Sequence, residues 1–309
     1  MEIGFIIPNF PNEKRVAILP RHLKKLNIKA YVENGFGKSI DIDDCEYHDA
    51  GAEITTREKI FSNCSVIFSL KLIQPSDYQM LQKKQMVIGW THPTGSGKYF
   101  FESQAIPKEL YIVDLDNIHP TVYHKTSKKQ ISWIPSNFIY QNSYLAGYAS
   151  VLHALLSFGV LPDSSTKVAL LSSGNTAQGA FMAISKFCAD VRMFYRKTMH
   201  EFKSTLSDYD IIINGIEVDT EGGHILTVEE QSRIKKNCLI IDAAADADNA
   251  IEGTHYTSID DPIYKNNNRF YYVVNNSPSI LYRKASEVIS ESLAKYVLNN
   301  DVASLVNYF

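Results

Sequence analysis

Short apolar runs alternate with segments of helical period along almost the whole of this 309-residue chain. The pattern predicts strands over Ile3–Ile7, Ala30–Glu33, Val66–Leu70, Met86–Thr91 and Leu110–Leu115. Helical stretches fall between most of them, as at Pro20–Leu26, Arg57–Ser62 and Ser76–Lys83. The polar stretch Ser127–Pro135, broken by its proline, reads as a boundary loop. Ser143–Phe158 follows as an apolar helix ended by Gly159 and long enough to connect two domains. A second series then places strands at Lys167–Leu171, Val191–Tyr195, Asp210–Asn214, Cys238–Asp242 and Phe270–Val274. The closing segment Ser279–Leu298 has helical period and is expected to pack back on the first domain. The alternation implies an α/β fold of two doubly wound parallel-sheet, Rossmann-like domains with an interdomain cleft. Residues 1–135 with 277–309 would form one domain, and residues 136–276 the other.

Composition narrows the function classes. With 45% hydrophobic and 21% charged residues the chain is expected to be a soluble globular protein. A formal net charge of −3 gives no basic field to hold nucleic acid or an anionic membrane. No apolar run approaches the ~18 residues needed to span a bilayer, and the start, Met1–Pro8, reads as a strand and not as a signal peptide. Cys45, Cys64, Cys188 and Cys238 show no CxxC spacing, which argues against a zinc cluster, or any metal site built on them, and against a disulfide framework. Free, buried thiols in a reducing, cytoplasmic compartment are expected.

The strongest local motif follows the strand Lys167–Leu171. There Ser172-Ser173-Gly174-Asn175-Thr176-Ala177-Gln178-Gly179 leads into a helix expected over Ala180–Cys188. Strand, glycine-containing turn and helix in this order suit a dinucleotide, with Gly174 admitting the pyrophosphate to the helix N-terminus. Ala177 would serve where helix and strand pack closely. Ser172 stands where a glycine normally makes the tight turn, and is tolerated there if its φ stays negative. The next strand ends in Arg196-Lys197-Thr198, where an acidic residue would grip a ribose 2′-hydroxyl. Two cations and a hydroxyl suit a 2′-phosphate instead, which points to NADP(H) over NAD(H); a solvated strand end is the plainer alternative.

Three groups of different chemistry follow three strands of the first half. Arg15 lies after the first strand, Lys71 after Val66–Leu70, and His92 after Met86–Thr91. Parallel strands bring such positions to one crevice. There an arginine clamps a carboxylate, a lysine polarises a carbonyl, and a histidine moves protons. Singly, each is also explained as a loop or strand-end residue. In the second half Asp246 lies in the run Asp242–Asp248 at a strand end, where a carboxylate could face a cationic amine or cap a turn. Asn276 could orient a nicotinamide amide or belong to the turn before Pro278. Asp114 and Asp116 are candidate partners of an amino group or solvated ends.

Taken in order, these runs resemble the alanine dehydrogenase and transhydrogenase family over essentially the whole chain. They are Glu13-Lys14-Arg15-Val16, Ile67–Pro75, Ile88–Pro93, Gly174–Gly179, Phe194–Thr198, Ile240–Gly253 and Tyr272–Pro278. The resemblance implies that Arg15 and Lys71 bind a 2-keto acid, that His92 transfers a proton, and that Asp246 faces the reaction centre. It places Ser143, Gly174, Arg196, Lys197 and Asn276 at cofactor-contacting positions. Within the family it points to members that join pyruvate to the side-chain amine of L-ornithine, or of L-lysine, by reversible NADPH-dependent reduction of an imine. The implied partners are thus a 2-keto acid and an amino acid, and the implied assembly is a homodimer or homotetramer. The chain departs from alanine dehydrogenases in having Ala247-Asp248 where glycines usually follow the aspartate, and in its basic Arg196-Lys197. Plain amino-acid dehydrogenase, saccharopine-type chemistry and a non-catalytic dinucleotide-binding module remain the alternatives.

Overall fold

A computed structural model describes residues 2–218 and 223–309. The chain divides into two compact units, one running from the N-terminus to Ile139 together with Tyr282–Phe309, the other spanning Tyr140–Leu281.

The first unit is built on an eight-stranded sheet. Its strands are β1 (Glu2–Ile6), β2 (Lys29–Glu33), β3 (Glu53–Thr55), β4 (Val66–Ser69), β5 (Met86–Gly89), β6 (Tyr111–Asp114), β7 (Thr121–His124) and β8 (Ser127–Gln130). They are ordered β3-β2-β1-β4-β5-β6-β7-β8. The first six run parallel, and β7 and β8 add antiparallel at one edge. Strand order reverses between β1 and β4, so the loops leaving these two strands part and open a crevice. The central strands β4 and β5 are buried on both faces, as their near-continuous apolar sequences require.

The second unit carries β9 (Lys167–Leu171), β10 (Asp190–Phe194), β11 (Ile211–Asn214), β12 (Leu239–Asp242), β13 (Ile263–Asn266) and β14 (Arg269–Tyr272). Their order is β10-β9-β11-β12-β14-β13, all parallel except β13. Here the reversal lies between β9 and β11. Helix Tyr140–Phe158 packs against helix Asn175–Ile184 through two glycines. A Cβ on Gly147 would sit 1.8 Å from the Thr176 carbonyl, and one on Gly179 would sit 1.8 Å from that of Tyr144.

Several expectations need correction. The stretch read as a boundary loop holds strand β8, whose Ser-Lys-Lys-Gln sequence is exposed throughout and carries no alternation to reveal it. Lysines on such an edge discourage further pairing. Three-residue β3 is too short to show a period, and β13 pairs with β14 through the two-residue turn Asn267-Asn268, both at positive φ. The helix expected over Ser76–Lys83 is a 3-10 turn, Pro75–Met80. The helix expected over Ala180–Cys188 starts earlier, at Asn175, and stops at Ile184. Only Cys64 and Cys238 are buried; Cys45 and Cys188 are exposed, and all four are free.

The C-terminal helix Tyr282–Leu293 does return to the first unit. Ile289 and Leu293 join its main core, with Val297 and Leu298 of the following π turn. Two of its serines also reach the loop after β1: Val16 N–H donates to Ser286 Oγ (2.9 Å) and Leu19 N–H to Ser290 Oγ (2.8 Å). The far end of the chain thereby fixes the segment that begins with Arg15.

Candidate active site

The carboxyl edge of the first sheet gathers five charged groups. Arg15 leaves the loop after β1, Lys71 follows β4, His92 follows β5, and Asp116 follows β6. Glu13 lies two residues before Arg15 and receives its guanidinium side-on: Nε donates to Oε1 at 2.8 Å and Nη2 to Oε2 at 2.6 Å. Both side chains are almost fully buried. Burial works against the Glu13 carboxylate, yet the Arg15 charge beside it holds it below its ordinary range.

Lys71 is half-buried, with its Nζ 5.0 Å from the centre of the Phe10 ring. Burial first, then repulsion from Arg15, pulls its ammonium below the usual lysine range, with Glu13 and Asp116 opposing. His92 Nε2 lies 2.7 Å from Asp116 Oδ2. Burial disfavours the imidazolium, but the Asp116 charge and hydrogen bond outweigh it and lift His92 to about 9. Asp116 feels the converse: burial raises it, while His92, Lys71 and Arg15 bring it below the usual carboxylate range. Arg15, Lys71 and a protonated His92 thus stand against Glu13 and Asp116. One positive charge is left over, and an anion suits it.

The turn bearing His92 is built with little freedom. Asp114, fully buried at the end of β6, accepts from Thr91 N–H (3.1 Å), His92 N–H (3.3 Å) and Asn117 Nδ2 (2.5 Å). The His92 carbonyl in turn accepts from Gly95 and Gly97. A Cβ at Gly97 would lie 1.8 Å from the Thr91 carbonyl, so only glycine closes this loop. His92 itself has φ +42°, uncommon for a residue with a side chain and held by those bonds. Asp114 is therefore the support of the turn and Asp116 the partner of the imidazole.

In the second unit the loops leaving β9, β10, β11, β12 and β14 share one edge. Gly174, in extended backbone, precedes the helix Asn175–Ile184, and no side-chain hydrogen bond caps it. A Cβ there would meet nothing nearer than Ser172 Oγ at 3.4 Å. Open space and uncapped helical N–H groups suit a phosphate. Asn175 and Thr176 open the helix half-buried, and Ala177 is fully buried against Gly215 at the end of β11. Ser172 does not keep a negative φ: it stands at +105°, the conformation a glycine would supply, and its Oγ accepts from Gly174 N–H at 3.0 Å. That bond offsets part of a backbone cost of order 1–3 kcal/mol.

Arg196 and Lys197 are exposed just past β10, and neither makes a hydrogen bond or ion pair among the described residues. The Thr198 hydroxyl closes their turn by accepting from Tyr195 N–H at 2.9 Å. Ser143 is half-buried on the long helix, and Asn276 is buried, its carbonyl accepting from Ser279 N–H. Asp246 is half-buried and accepts from the Tyr256 hydroxyl at 3.2 Å.

Beneath Asp246 lies a pair that sequence reading did not single out. Asn214, ending β11, donates to Asp242, ending β12, at 2.9 Å. Asp242 Oδ1 also accepts from Ala245 N–H, and the Asn214 carbonyl accepts from Ala243 and Ala244 N–H. Together they shape the loop that carries Asp246. Burial pushes the Asp242 carboxyl up to about 7. Glu13 was visible in the sequence only as a charged neighbour and Asp116 only as a candidate partner of an amino group, because nothing local says which cation each one faces.

Two family models match the chain: "Alanine dehydrogenase/PNT, N-terminal domain" over residues 9–118 and "Alanine dehydrogenase/PNT, C-terminal domain" over residues 161–307. The chain belongs to the alanine dehydrogenase/PNT family, and it is an oxidoreductase. An N(5)-(carboxyethyl)ornithine synthase of Clostridium botulinum is 56% identical over 98% of this chain and 95% of its own length. One of Lactococcus lactis is 51% identical over 99% of both chains. Among solved structures an L-alanine dehydrogenase superposes with a TM-score of 0.78 over all of this chain and 92% of its own, at 19% identity. That last likeness concerns the fold.

Proposed function

We propose that the chain performs an NADPH-dependent, reversible reductive condensation of pyruvate with the side-chain amine of L-ornithine, or of L-lysine. The observation that carries this reading is the convergence of Arg15, Lys71 and the His92–Asp116 pair on one sheet edge, in a chain more than half identical to an N(5)-(carboxyethyl)ornithine synthase. The first unit would bind the substrates and the second the cofactor.

Arg15, held in orientation by Glu13, binds the pyruvate carboxylate, while Lys71 carries the positive charge the cluster has in excess. Lys71 donates to the carbonyl oxygen and polarises it for attack by the neutral side-chain amine. It gives its proton to that oxygen and takes one back from the new ammonium, so that a neutral carbinolamine forms. His92, kept protonated by Asp116, gives a proton to the carbinolamine hydroxyl as water departs and the imine forms. NADPH, when bound, supplies the hydride that reduces the imine carbon. Asp246 offers a carboxylate to the iminium charge. In the reverse direction His92 and Lys71 receive the protons they gave.

Gly174, Asn175 and Thr176 would hold the pyrophosphate, with Ser172 and Ala177 shaping the turn. Arg196 and Lys197, exposed and with no side-chain partner among the described residues, would take the 2′-phosphate, with Thr198 closing their turn. Ser143 and Asn276 would border the nicotinamide. Two buried, unpaired thiols support a cytoplasmic location. Assembly into a homodimer or homotetramer belongs to the same proposal.

An amine panel tests the reading. Pyruvate with L-ornithine should oxidise NADPH, while pyruvate with ammonia should not. Equal rates with ammonia would make the enzyme an amino-acid dehydrogenase instead.

A further inference from the structure

A hollow of about 320 Å³ opens beside Arg15, at the carboxyl ends of β1 and β2. Ile7, Pro8, Lys14, Gly35, Phe36 and Lys38 line it, with Glu13 and Arg15 forming its inner wall. Its size falls in the range of small-ligand sites. We propose that this hollow receives the α-amino-acid head of the second substrate, with the α-carboxylate drawn to Lys38. The inference rests on the condensation reading and adds to it the place where the amine donor is recognised.

Position is the first argument. Strands β2, β1 and β4 are neighbours, and parallel neighbours lie about 4.8 Å apart. The middle of the hollow, between β1 and β2, is therefore roughly 7 Å along the edge from β4, which Lys71 follows. A diamino acid carries its reacting amine and its α-carboxylate at opposite ends of three or four methylenes, a comparable span when extended. With the amine at Lys71 and His92, its head falls on the β1–β2 side of Arg15.

Charge is the second. The Glu13 carboxylate and the Arg15 guanidinium satisfy each other within the wall. Glu33, at the end of β2, is bonded to Arg57 and to Ile7 N–H and does not compete. Lys14 and Lys38 leave the hollow cationic, and the exposed Lys38 side chain makes no hydrogen bond or ion pair among the described residues. A carboxylate is the complementary group.

Rigidity is the third. Gly35 turns at φ +76° with its N–H on Asp44, 2.9 Å from Oδ1. A Cβ at Gly37 would meet the Ile42 carbonyl at 2.6 Å. Phe36 is wedged edge-on against Phe5 and Tyr47, and Ser39 Oγ donates to the Lys14 carbonyl at 2.7 Å, tying the two sides together. The hollow is preformed, so a ligand loses little in ordering it.

Putrescine, which is ornithine without its carboxylate, serves as the probe beside L-ornithine, with wild type and Lys38→Ala compared at saturating pyruvate and NADPH. Wild type should prefer ornithine. Lys38→Ala should raise the KM for ornithine about tenfold, the value of a lost charge-assisted bond, and leave the KM for pyruvate and the kcat/KM for putrescine unchanged. An unchanged ornithine KM in the variant, or equal use of putrescine by wild type, would overturn the hollow alone. A wild type that oxidises no NADPH with pyruvate and ornithine would overturn the condensation reading and the hollow with it.

Discussion

At the scale of single residues, function rests on pairs. His92 is lifted to about 9 because Asp116 more than offsets the burial that opposes its charge. Raised from an ordinary value of about 6.5, His92 stays protonated through neutral pH and loses its proton as pH rises through about 9. The condensation rate should therefore fall on the alkaline side with a midpoint near that value. In Asp116→Asn the fall should begin at lower pH, because the carboxylate is gone while the burial stays. Coincident profiles for the two proteins would mean that another group donates the proton. The sequence made Arg15, Lys71 and His92 legible because strand ends are legible. Their counter-ions were not, since Glu13 and Asp116 acquire a role only when β1, β4, β5 and β6 lie side by side. Ser172 went the other way: its hydroxyl was plain in the sequence, but its φ of +105° is set by the turn it shares with Gly174.

At the scale of elements, two glycines decide how the cofactor turn is held. Gly147 and Gly179 let the helices Tyr140–Phe158 and Asn175–Ile184 touch backbone to backbone. Gly179→Ala places a methyl group 1.8 Å from the Tyr144 carbonyl and must push the helices apart. A loss of about 1–3 kcal/mol in stability is expected. The KM for NADPH should rise as well, since the displaced helix begins at Gly174. A variant with unchanged melting temperature would contradict this packing. Strongly periodic elements, such as the long helix with its Gly159 stop, were readable within a few residues. The β7–β8 hairpin was not, because an edge strand of exposed lysines has no buried face to write into its sequence. The Asn267-Asn268 turn did carry a signal, in two residues suited to positive φ.

At the scale of the whole molecule, each unit gathers its candidate groups at the carboxyl edge of its own sheet, which suits the proposed division of substrate and cofactor duties between the two. The basic turn after β10 should set the cofactor preference. Replacing Arg196 and Lys197 together by serine should weaken NADPH by about a hundredfold or more, at about 1.5–3 kcal/mol for each charge-assisted bond, and leave NADH nearly unaffected. Equal weakening of both would show that the two cations do not meet a 2′-phosphate. The central claim is that an imine between pyruvate and a side-chain amine is reduced. NADPH deuterated at the transferred position, incubated with pyruvate, L-ornithine and the enzyme, tests this most directly when the product is isolated and its label located by NMR. The account predicts a secondary amine joining the two substrates, with deuterium on the carbon that was the pyruvate carbonyl. Label found in alanine or lactate, with no joined product, would contradict it.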